Sequence, residues 1–230
     1  EGGDPMRNAV VCDLRTLLPF LPSVGVTLVL VCAFLTLGGG ALSAVGSVCA
    51  MTLLLCMFSL GGYDEQNGWG RFRATLPLSR REVVVGRYLA VLTLGLVGVV
   101  FGVAMGMAFQ AVVAALPMAA HPDTYGLPDL FASSVASMAC GLVICSVAMP
   151  FCVKYGAIRG ARIFACAVAV AASLAIAAGM NLVGPETLAG VGAWVDANVA
   201  ACVAIATVVA AVAYAASCAV SLRIYGAKDL

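Results

Sequence analysis

Six apolar stretches without a single charged residue constrain the fold of this chain more than any other feature of its sequence. They cover residues 20–37, 41–60, 90–116, 130–153, 163–180 and 199–222, and none contains Asp, Glu, Lys, Arg or His. About 20 apolar residues are needed to cross the hydrocarbon core of a bilayer as a helix. The sequence therefore predicts an all-α, polytopic membrane protein with six transmembrane helices.

The composition agrees with this prediction. Hydrophobic residues make up 63% of the chain and charged residues only 10%, whereas a soluble domain is typically about 25% charged. So little polar surface could not cover a domain in water. The net charge of +1 also gives no electrostatic argument for a nucleic-acid partner.

The distribution of basic residues predicts the orientation. All twelve Lys and Arg precede the first stretch, follow the sixth, or lie in the connections after the second and the fourth. The connections 38–40, 117–129 and 181–198 contain none. By the positive-inside rule, both termini and the two basic connections lie in the cytoplasm, which gives an N-in/C-in topology.

Two flanking segments precede the first stretch. Residues 1–5 are interpreted as a cloning remnant before Met6, and residues 6–230 as a single membrane domain. Within residues 6–18, apolar residues recur at helical spacing while the charged residues, Asp13 among them, fall on the opposite side. This pattern predicts a short interfacial helix on the inner leaflet. The alternative is a frayed extension of the first span.

Two further segments carry small or irregular patterns. In the third stretch Gly98, Gly102 and Gly106 repeat on one face, which lets helix backbones approach closely in lipid. This predicts either a dimer contact or ordinary packing within the chain. The connection 181–198 mixes apolar residues with Gly184, Pro185, Glu186 and Trp194. It is typical of a re-entrant outer segment with Trp194 at headgroup depth, and the alternative is an irregular loop.

The sequence lacks the residues that several functions require. The predicted spans offer no ionisable group for a driving ion, which weakens the case for an ion-coupled carrier. None of the ten Cys forms C-x-x-C, so no zinc or iron–sulfur motif is present. The only lysines, Lys154 and Lys228, do not follow the P-loop pattern, whose lysine must reach the nucleotide phosphates. We therefore expect no catalytic residue, metal site or cofactor on this chain.

Residues 61–89 hold five of the arginines together with aromatic residues. Gly61 and Gly62 are expected to end the second span. Trp69, Phe72 and Leu76 then follow at i, i+3 and i+7, which predicts a short amphipathic helix. Such a helix is too short to be stable alone, so we expect a partner on its apolar side.

A second helix is predicted directly after Pro77. Ser79-Arg80-Arg81-Glu82 is a capping box, in which Ser79 and Glu82 each satisfy the other's backbone amide. A helix should therefore start at Arg80 and run into the third span. Taken alone, the segment is either a positive-inside membrane anchor or a docking element with aromatic and Arg anchors.

The segment 63–89 resembles the cytoplasmic segment of small ATP-binding-cassette type-2 export permeases. The shared pattern is Asp64-Glu65, Asn67-Gly68-Trp69, Leu76-Pro77-x-Ser79-Arg80, Glu82, Val83 to Val85 and Arg87-Tyr88-Leu89, and Gly70 departs from it. The resemblance implies a permease that dimerises, as a homodimer or a heterodimer. It also implies separate nucleotide-binding subunits that hold ATP and Mg.

The same resemblance assigns residues 61–89 as a cytoplasmic coupling loop. The implied contacts with the ATPase subunit are Asp64, Glu65, Asn67, Trp69, Arg71, Phe72 and Leu76. The implied joint to the third span consists of Pro77, Ser79, Arg80, Arg81 and Glu82.

The similar permeases include exporters of phenol-soluble modulins and of bacteriocin-like peptides. The resemblance thus implies export of amphipathic or hydrophobic peptides across a bacterial cytoplasmic membrane. Two alternatives stay open: a lipid or drug exporter of the same family, and a membrane sensor or assembly subunit that transports nothing.

Overall fold

The computed structural model describes residues 5–37, 42–66, 79–115, 126–182 and 185–226, which form eight α-helices and no strand. The helices are α1 (Pro5–Leu17), α2 (Leu21–Leu37), α3 (Leu42–Gln66), α4 (Arg80–Ala115), α5 (Leu127–Tyr155), α6 (Ala157–Leu182), α7 (Pro185–Ala197) and α8 (Val199–Gly226). The predicted all-α class is therefore confirmed.

Among the described residues, three helices are long and apolar enough to cross a membrane: Arg81–Ala115, Leu127–Tyr155 and Val199–Gly226. A fourth candidate is the pair Val10–Leu17 and Leu21–Leu35, which is bent by 60°. Helix α2 alone has 17 residues, or about 26 Å at 1.5 Å per residue, slightly less than the hydrocarbon core. Six spans and the N-in/C-in orientation stay predictions.

Helix α3 does not end where the sequence predicted. It continues through Gly61 and Gly62 to Gln66, so Asp64 and Glu65 lie on its last turn. A side chain on Gly61 would place its Cβ 2.5 Å from the Cβ of Ala157 on α6. Gly61 is thus a point of close helix approach, and it does not end the helix.

Helix α4 is a single element of 36 residues, about 54 Å long. The predicted start at Arg80 and the continuous run into the third apolar stretch are confirmed. Since the hydrocarbon core is about 30 Å thick, α4 is long enough to project well beyond it.

Helix α5 lies at the centre of the bundle, in contact with α3, α4, α6 and α8. Its buried residues Ala139, Leu142, Cys145 and Met149 join those of α4 and α8 in the largest core cluster. Helix α2 packs through a separate small cluster with α3. The closely packed centre of the bundle therefore consists of α3, α4, α5 and α8, and α2 lies at its edge.

Two short predicted elements are helical. Helix α1 covers Pro5–Leu17, close to the predicted interfacial helix 6–18. Helix α7 covers Pro185–Ala197 and leaves Trp194 60% exposed. Gly184 lies outside the described residues. The membrane depth of both helices stays a prediction.

Candidate functional site at the charged end of the bundle

Most residues of the predicted coupling face lie between the end of α3 and the start of α4. Asn67, Trp69, Arg71, Phe72, Leu76 and Pro77 lie outside the described residues. What the structure describes is the pair of helix ends from which this segment emerges, Gln66 on one side and Ser79 on the other. We call the region around these two ends, together with the ends of α5, α6 and α8 that adjoin them, the charged end.

The start of α4 carries the predicted capping box. The Glu82 carboxylate accepts a hydrogen bond of 2.7 Å from the Ser79 amide, and Ser79 Oγ accepts one of 3.2 Å from the Glu82 amide. The Ser79 carbonyl also accepts the first helical bond, from the Val83 amide at 3.2 Å. These bonds satisfy backbone amides that a helix start would otherwise leave without a partner. They therefore stabilise the N-terminus of α4.

Glu65 has a contact that the sequence did not predict. Its Oε2 accepts a hydrogen bond of 3.0 Å from the amide of Ile158, in the first turn of α6. Gly156, which precedes α6, has φ of +89°, and its missing side chain leaves room for Glu65 Oε1. A carboxylate at a helix N-terminus is stabilised by the open amides and the helix dipole. The end of α3 therefore caps α6.

A second pair of contacts fastens α3 to α6. Gly61 meets Ala157 closely, as described above, and the rings of Phe58 and Phe164 stack with centroids 6.3 Å apart. Only Gly156 separates the end of α5 from the start of α6, and Gly160 lies against the backbone of Phe151 and Cys152. The two predicted cytoplasmic connections are thus joined to each other.

An ion pair attaches α1 to α4. Arg87 Nε lies 3.9 Å from Asp13 Oδ2, and Asp13 is only 2% exposed. Leu17 of α1 and Leu94 of α4 pack together beside it. The sequence placed Asp13 on the solvated side of an interfacial helix, whereas the structure turns it toward α4. The countercharge of Arg87 makes this burial tolerable.

Five hydroxyl-bearing residues bring α4, α5 and α8 together, and we call them the hydroxyl junction: Tyr88, Ser146, Tyr214, Ser217 and Ser221. All five are buried. The Tyr88 hydroxyl lies 2.8 Å from both Ser217 Oγ and Ser221 Oγ. The Tyr214 hydroxyl donates to the Tyr88 carbonyl at 2.9 Å, and the two rings lie 4.9 Å apart.

The directions of these bonds follow from the supply of protons. Ser217 Oγ donates its single proton to the Ser146 carbonyl at 2.5 Å. It must therefore accept from Tyr88, and Tyr88 must accept from Ser221. A chain from Ser221 through Tyr88 and Ser217 to the Ser146 carbonyl results, and such chains strengthen their members cooperatively.

A second meeting point of helices, which we call the glycine junction, consists of Gly46 on α3, Gly102 on α4 and Ser134 on α5. A Cβ on Gly102 would lie 2.6 Å from the Gly46 carbonyl oxygen and 3.2 Å from Ser134 Oγ. Ser134 is fully buried, and its Oγ has no hydrogen-bond partner among the described residues. Gly106 meets Leu130 of α5 one turn further along.

The glycine pattern of the third stretch thus serves packing inside the chain at Gly102 and Gly106. Gly98 is also buried. Of the two interpretations of this pattern, packing within the chain accounts for these contacts, and a dimer contact through the same atoms would have to displace α3 or α5.

Several basic residues lie on the helix ends that form the charged end. Lys154 lies over the ring of Tyr155 at 5.2 Å, and Arg159, Arg162 and Arg223 are exposed. The contacts of Glu65 with α6 and of Tyr88 with α8 bring the ends of these helices together. The structure therefore gathers basic residues that the positive-inside rule assigns to one side of the membrane.

Tyr88, Tyr214, Ser217 and Ser221 were not predicted from the sequence to form one group. A signal was present, because Tyr214, Ser217 and Ser221 recur at i, i+3 and i+7 on an otherwise apolar helix. Hydroxyls on one face of a membrane helix indicate a partner with polar atoms. No comparable signal identified Ile158 as the partner of Glu65.

A family model described as "ABC-2 family transporter protein" matches residues 13–226. Neither a curated protein nor a solved structure matches the chain.

Proposed function

Since the chain belongs to the ABC-2 transporter family and is thus a multi-pass membrane permease, we propose that it exports amphipathic or hydrophobic peptides, driven by a separate ATPase subunit. Permeases of this family generally work as dimers with such a subunit. The partners proposed here are one nucleotide-binding subunit per permease, carrying ATP and Mg, and a second permease copy. Both termini are proposed to lie in the cytoplasm of a bacterium.

The proposed mechanism rests on one observation: hydrogen bonds hold both of the helix ends that flank residues 67–78. On one side Glu65 ties α3 to α6, and on the other the capping box of Ser79 and Glu82 starts a helix of 36 residues. A force that the ATPase subunit transmitted to these two helix ends would act directly on α3 and α4.

The movement would then spread along fixed contacts. Helix α8 would move with α4 because the hydroxyl junction joins them, and α1 would move with α4 because Asp13 pairs with Arg87. Helix α3 carries α6 through Glu65. These two groups meet at the glycine junction, where backbones touch without intervening side chains. We propose that closure of the ATPase dimer slides the groups against each other there, within each permease.

The proposed cargo follows from what the predicted spans lack. They contain no charged residue, so a path between them suits a cargo that buries apolar surface itself. Met105, Phe101 and Phe109 pack against the cluster between α2 and α3, so these three support helix packing. Amphipathic peptides fit this description better than hydrophilic solutes, and lipids or drugs are the second choice.

The coupling assignment can be tested by replacing Trp69 and Phe72 with Ala. We expect the double variant to lose co-purification with its ATPase subunit and ATP-dependent export, because aromatic anchors dominate small interfaces. Trp194→Ala is the matched control, since Trp194 is an exposed aromatic residue on α7, outside the predicted coupling loop. Normal ATPase binding and export by the double variant would refute the assignment.

The cargo is tested separately with inside-out vesicles that contain both subunits. ATP-dependent uptake of a labelled amphipathic helical peptide, competed by unlabelled peptide, is the expected result. Uptake of a labelled lipid or a dye alone would favour the second choice. ATPase binding without transport of any of these would favour a sensor or assembly subunit.

A further inference from the structure

One side of α6, which we call the α6 face, exposes two arginines followed by apolar residues. Arg159 and Arg162 lie in the first turns of the helix, and both are exposed. Three residues continue this face at i+4, i+7 and i+11 from Arg159, namely Ile163, Cys166 and Val170. These three are exposed too, Ile163 by 43% and Val170 by 60%. Helix α6 contacts the bundle mainly through α3 and α5, so no described helix covers the α6 face.

The described part of the chain does not neutralise the two arginines. Neither Arg159 nor Arg162 forms an ion pair with a described residue. Helix α6 contains no Asp or Glu, and the Glu65 carboxylate beside its N-terminus accepts its hydrogen bond from the Ile158 amide. Lys154, at the end of α5, is a further exposed cation. The start of α6 therefore presents a positive surface that attracts an anion.

The attachment of α6 fixes the positions of both arginines. Glu65 caps the N-terminus of the helix. Gly160, between the two arginines in sequence, is buried against the backbone of α5. Since Gly160 faces α5, the exposed side chains of Arg159 and Arg162 lie away from that contact. A backbone that is already ordered loses less conformational entropy when a ligand binds.

The order of charged and apolar residues along the α6 face matches that of a phospholipid. Under the predicted orientation the arginines lie at the headgroup level of the inner leaflet, and the apolar residues lie along the acyl chains. From Arg159 to Val170 the helix rises about 16 Å, which is about half of the hydrocarbon core, or one leaflet. We propose that the α6 face binds one anionic phospholipid, whose phosphate lies between Arg159 and Arg162.

The apolar residues favour a lipid over a soluble anion. A free phosphate would contact the arginines alone, whereas an acyl chain also covers Ile163, Cys166 and Val170. Guanidinium groups donate strong, charge-assisted hydrogen bonds to phosphate oxygens. The amine of a zwitterionic lipid compensates its phosphate, so an anionic headgroup should bind more tightly. This site concerns the lipid around the permease and does not depend on the cargo.

The test is native mass spectrometry of the purified permease in detergent, titrated with phosphatidylglycerol, phosphatidylcholine or glycerol 3-phosphate. We expect one phosphatidylglycerol per chain to bind more tightly than phosphatidylcholine, and glycerol 3-phosphate not to compete with it. Arg159→Gln with Arg162→Gln should weaken phosphatidylglycerol binding by about 25-fold, since each basic residue near an anionic leaflet contributes about fivefold. Arg15→Gln with Arg223→Gln is the matched control, because it removes two exposed arginines from other helices and should leave this binding unchanged.

A measurement on the unaltered chain covers the case in which the Gln variants do not fold. Phosphatidylglycerol and phosphatidylcholine with the same photoreactive group on an acyl chain are compared in vesicles of one composition. Phosphatidylglycerol should label residues 163–170 more than phosphatidylcholine does, as read by peptide mass. The exposed residues Ile205, Val208 and Val212 of α8 should be labelled equally by both lipids.

Four outcomes would overturn the proposal. The control variant could lose phosphatidylglycerol binding to the same extent, glycerol 3-phosphate could compete with the lipid, or the two lipids could label residues 163–170 equally. In the fourth outcome, Arg159→Gln with Arg162→Gln loses co-purification with the ATPase subunit while its phosphatidylglycerol affinity stays unchanged. That result would assign the α6 face to the ATPase subunit.

Discussion

At the hydroxyl junction α4 is tied to its neighbours by directional hydrogen bonds, whereas at the glycine junction it meets them by close backbone contact. Tyr88 bonds to Ser217 and Ser221 on α8. Gly102 has no side chain to bond with and lies directly against Gly46 on α3. Both junctions are buried, and both lie on the same continuous helix.

The difference concerns what each contact permits. A hydrogen bond loses strength when its atoms shift by a few tenths of an ångström, so the hydroxyl junction fixes the register of α4 on α8. Contacts between small residues hold helices close without specifying one partner atom. The pair of junctions thus suits a helix that keeps its register on α8 and can shift against α3.

The largest effect is expected for Gly102→Ala. The new Cβ would lie 2.6 Å from the Gly46 carbonyl oxygen, and backbone cannot rotate away as a side chain can. We expect the free energy of unfolding to fall by about 1–3 kcal/mol, the usual cost of overpacking. Thermal unfolding followed with a thiol-reactive dye would measure this change.

Gly25→Ala on α2 is the control, because a Cβ there would meet nothing within 4 Å. Since Ala is the better helix former, this control should be neutral or stabilising. Equal stability of both variants would show that α4 and α3 are not in close contact.

An intermediate effect is expected for Tyr88→Phe. The change removes the hydroxyl that donates to Ser217 and leaves Ser221 without its acceptor. Interhelical hydrogen bonds in membrane proteins contribute about 0.6 kcal/mol each on average. Since two of them are removed, the free energy of unfolding should fall by about 1–2 kcal/mol.

The more specific readout of Tyr88→Phe is coupling. ATPase binding should stay normal while the ATP hydrolysed per cargo molecule rises, because α8 then follows α4 less closely, through the bond from Tyr214 to the Tyr88 carbonyl alone. Tyr155→Phe, on the exposed end of α5, is the control. If both variants keep the same ratio, the hydroxyl junction does not transmit movement.

The smallest effect is expected for Ser134→Ala at the glycine junction. The Ser134 hydroxyl is buried without a partner among the described residues, so its removal should change stability by less than about 0.5 kcal/mol, or increase it. The same substitution at Ser217, which bonds to Tyr88 and to the Ser146 carbonyl, should cost about 1–2 kcal/mol. Equal losses would remove the distinction between the two junctions.

The sequence predicted those features that depend on neighbours in the chain. The capping box was found because Ser79 and Glu82 are three residues apart, and the apolar stretches gave the helices. The family resemblance rested on a segment that lies partly between the described helix ends, and the family match over residues 13–226 independently supports an ABC-2 permease.

The contacts between distant parts of the chain were not predicted. Glu65 reaches a residue 93 positions away, and Tyr88 reaches residues 129 and 133 positions away. Which helices become neighbours depends on packing in three dimensions, and spacing along the chain carries no such information. Gly61 was misjudged for the same reason, since its partner Ala157 belongs to another helix.

The single residue between α5 and α6 has a practical consequence. Gly156 is the whole connection, its φ of +89° suits glycine, and the Glu65 carboxylate occupies the space beside it. Epitope tags, fluorescent reporters or protease sites inserted at this position would separate Glu65 from Ile158 and spread the two helices. For labelling the permease without disabling it, this connection is the one to avoid.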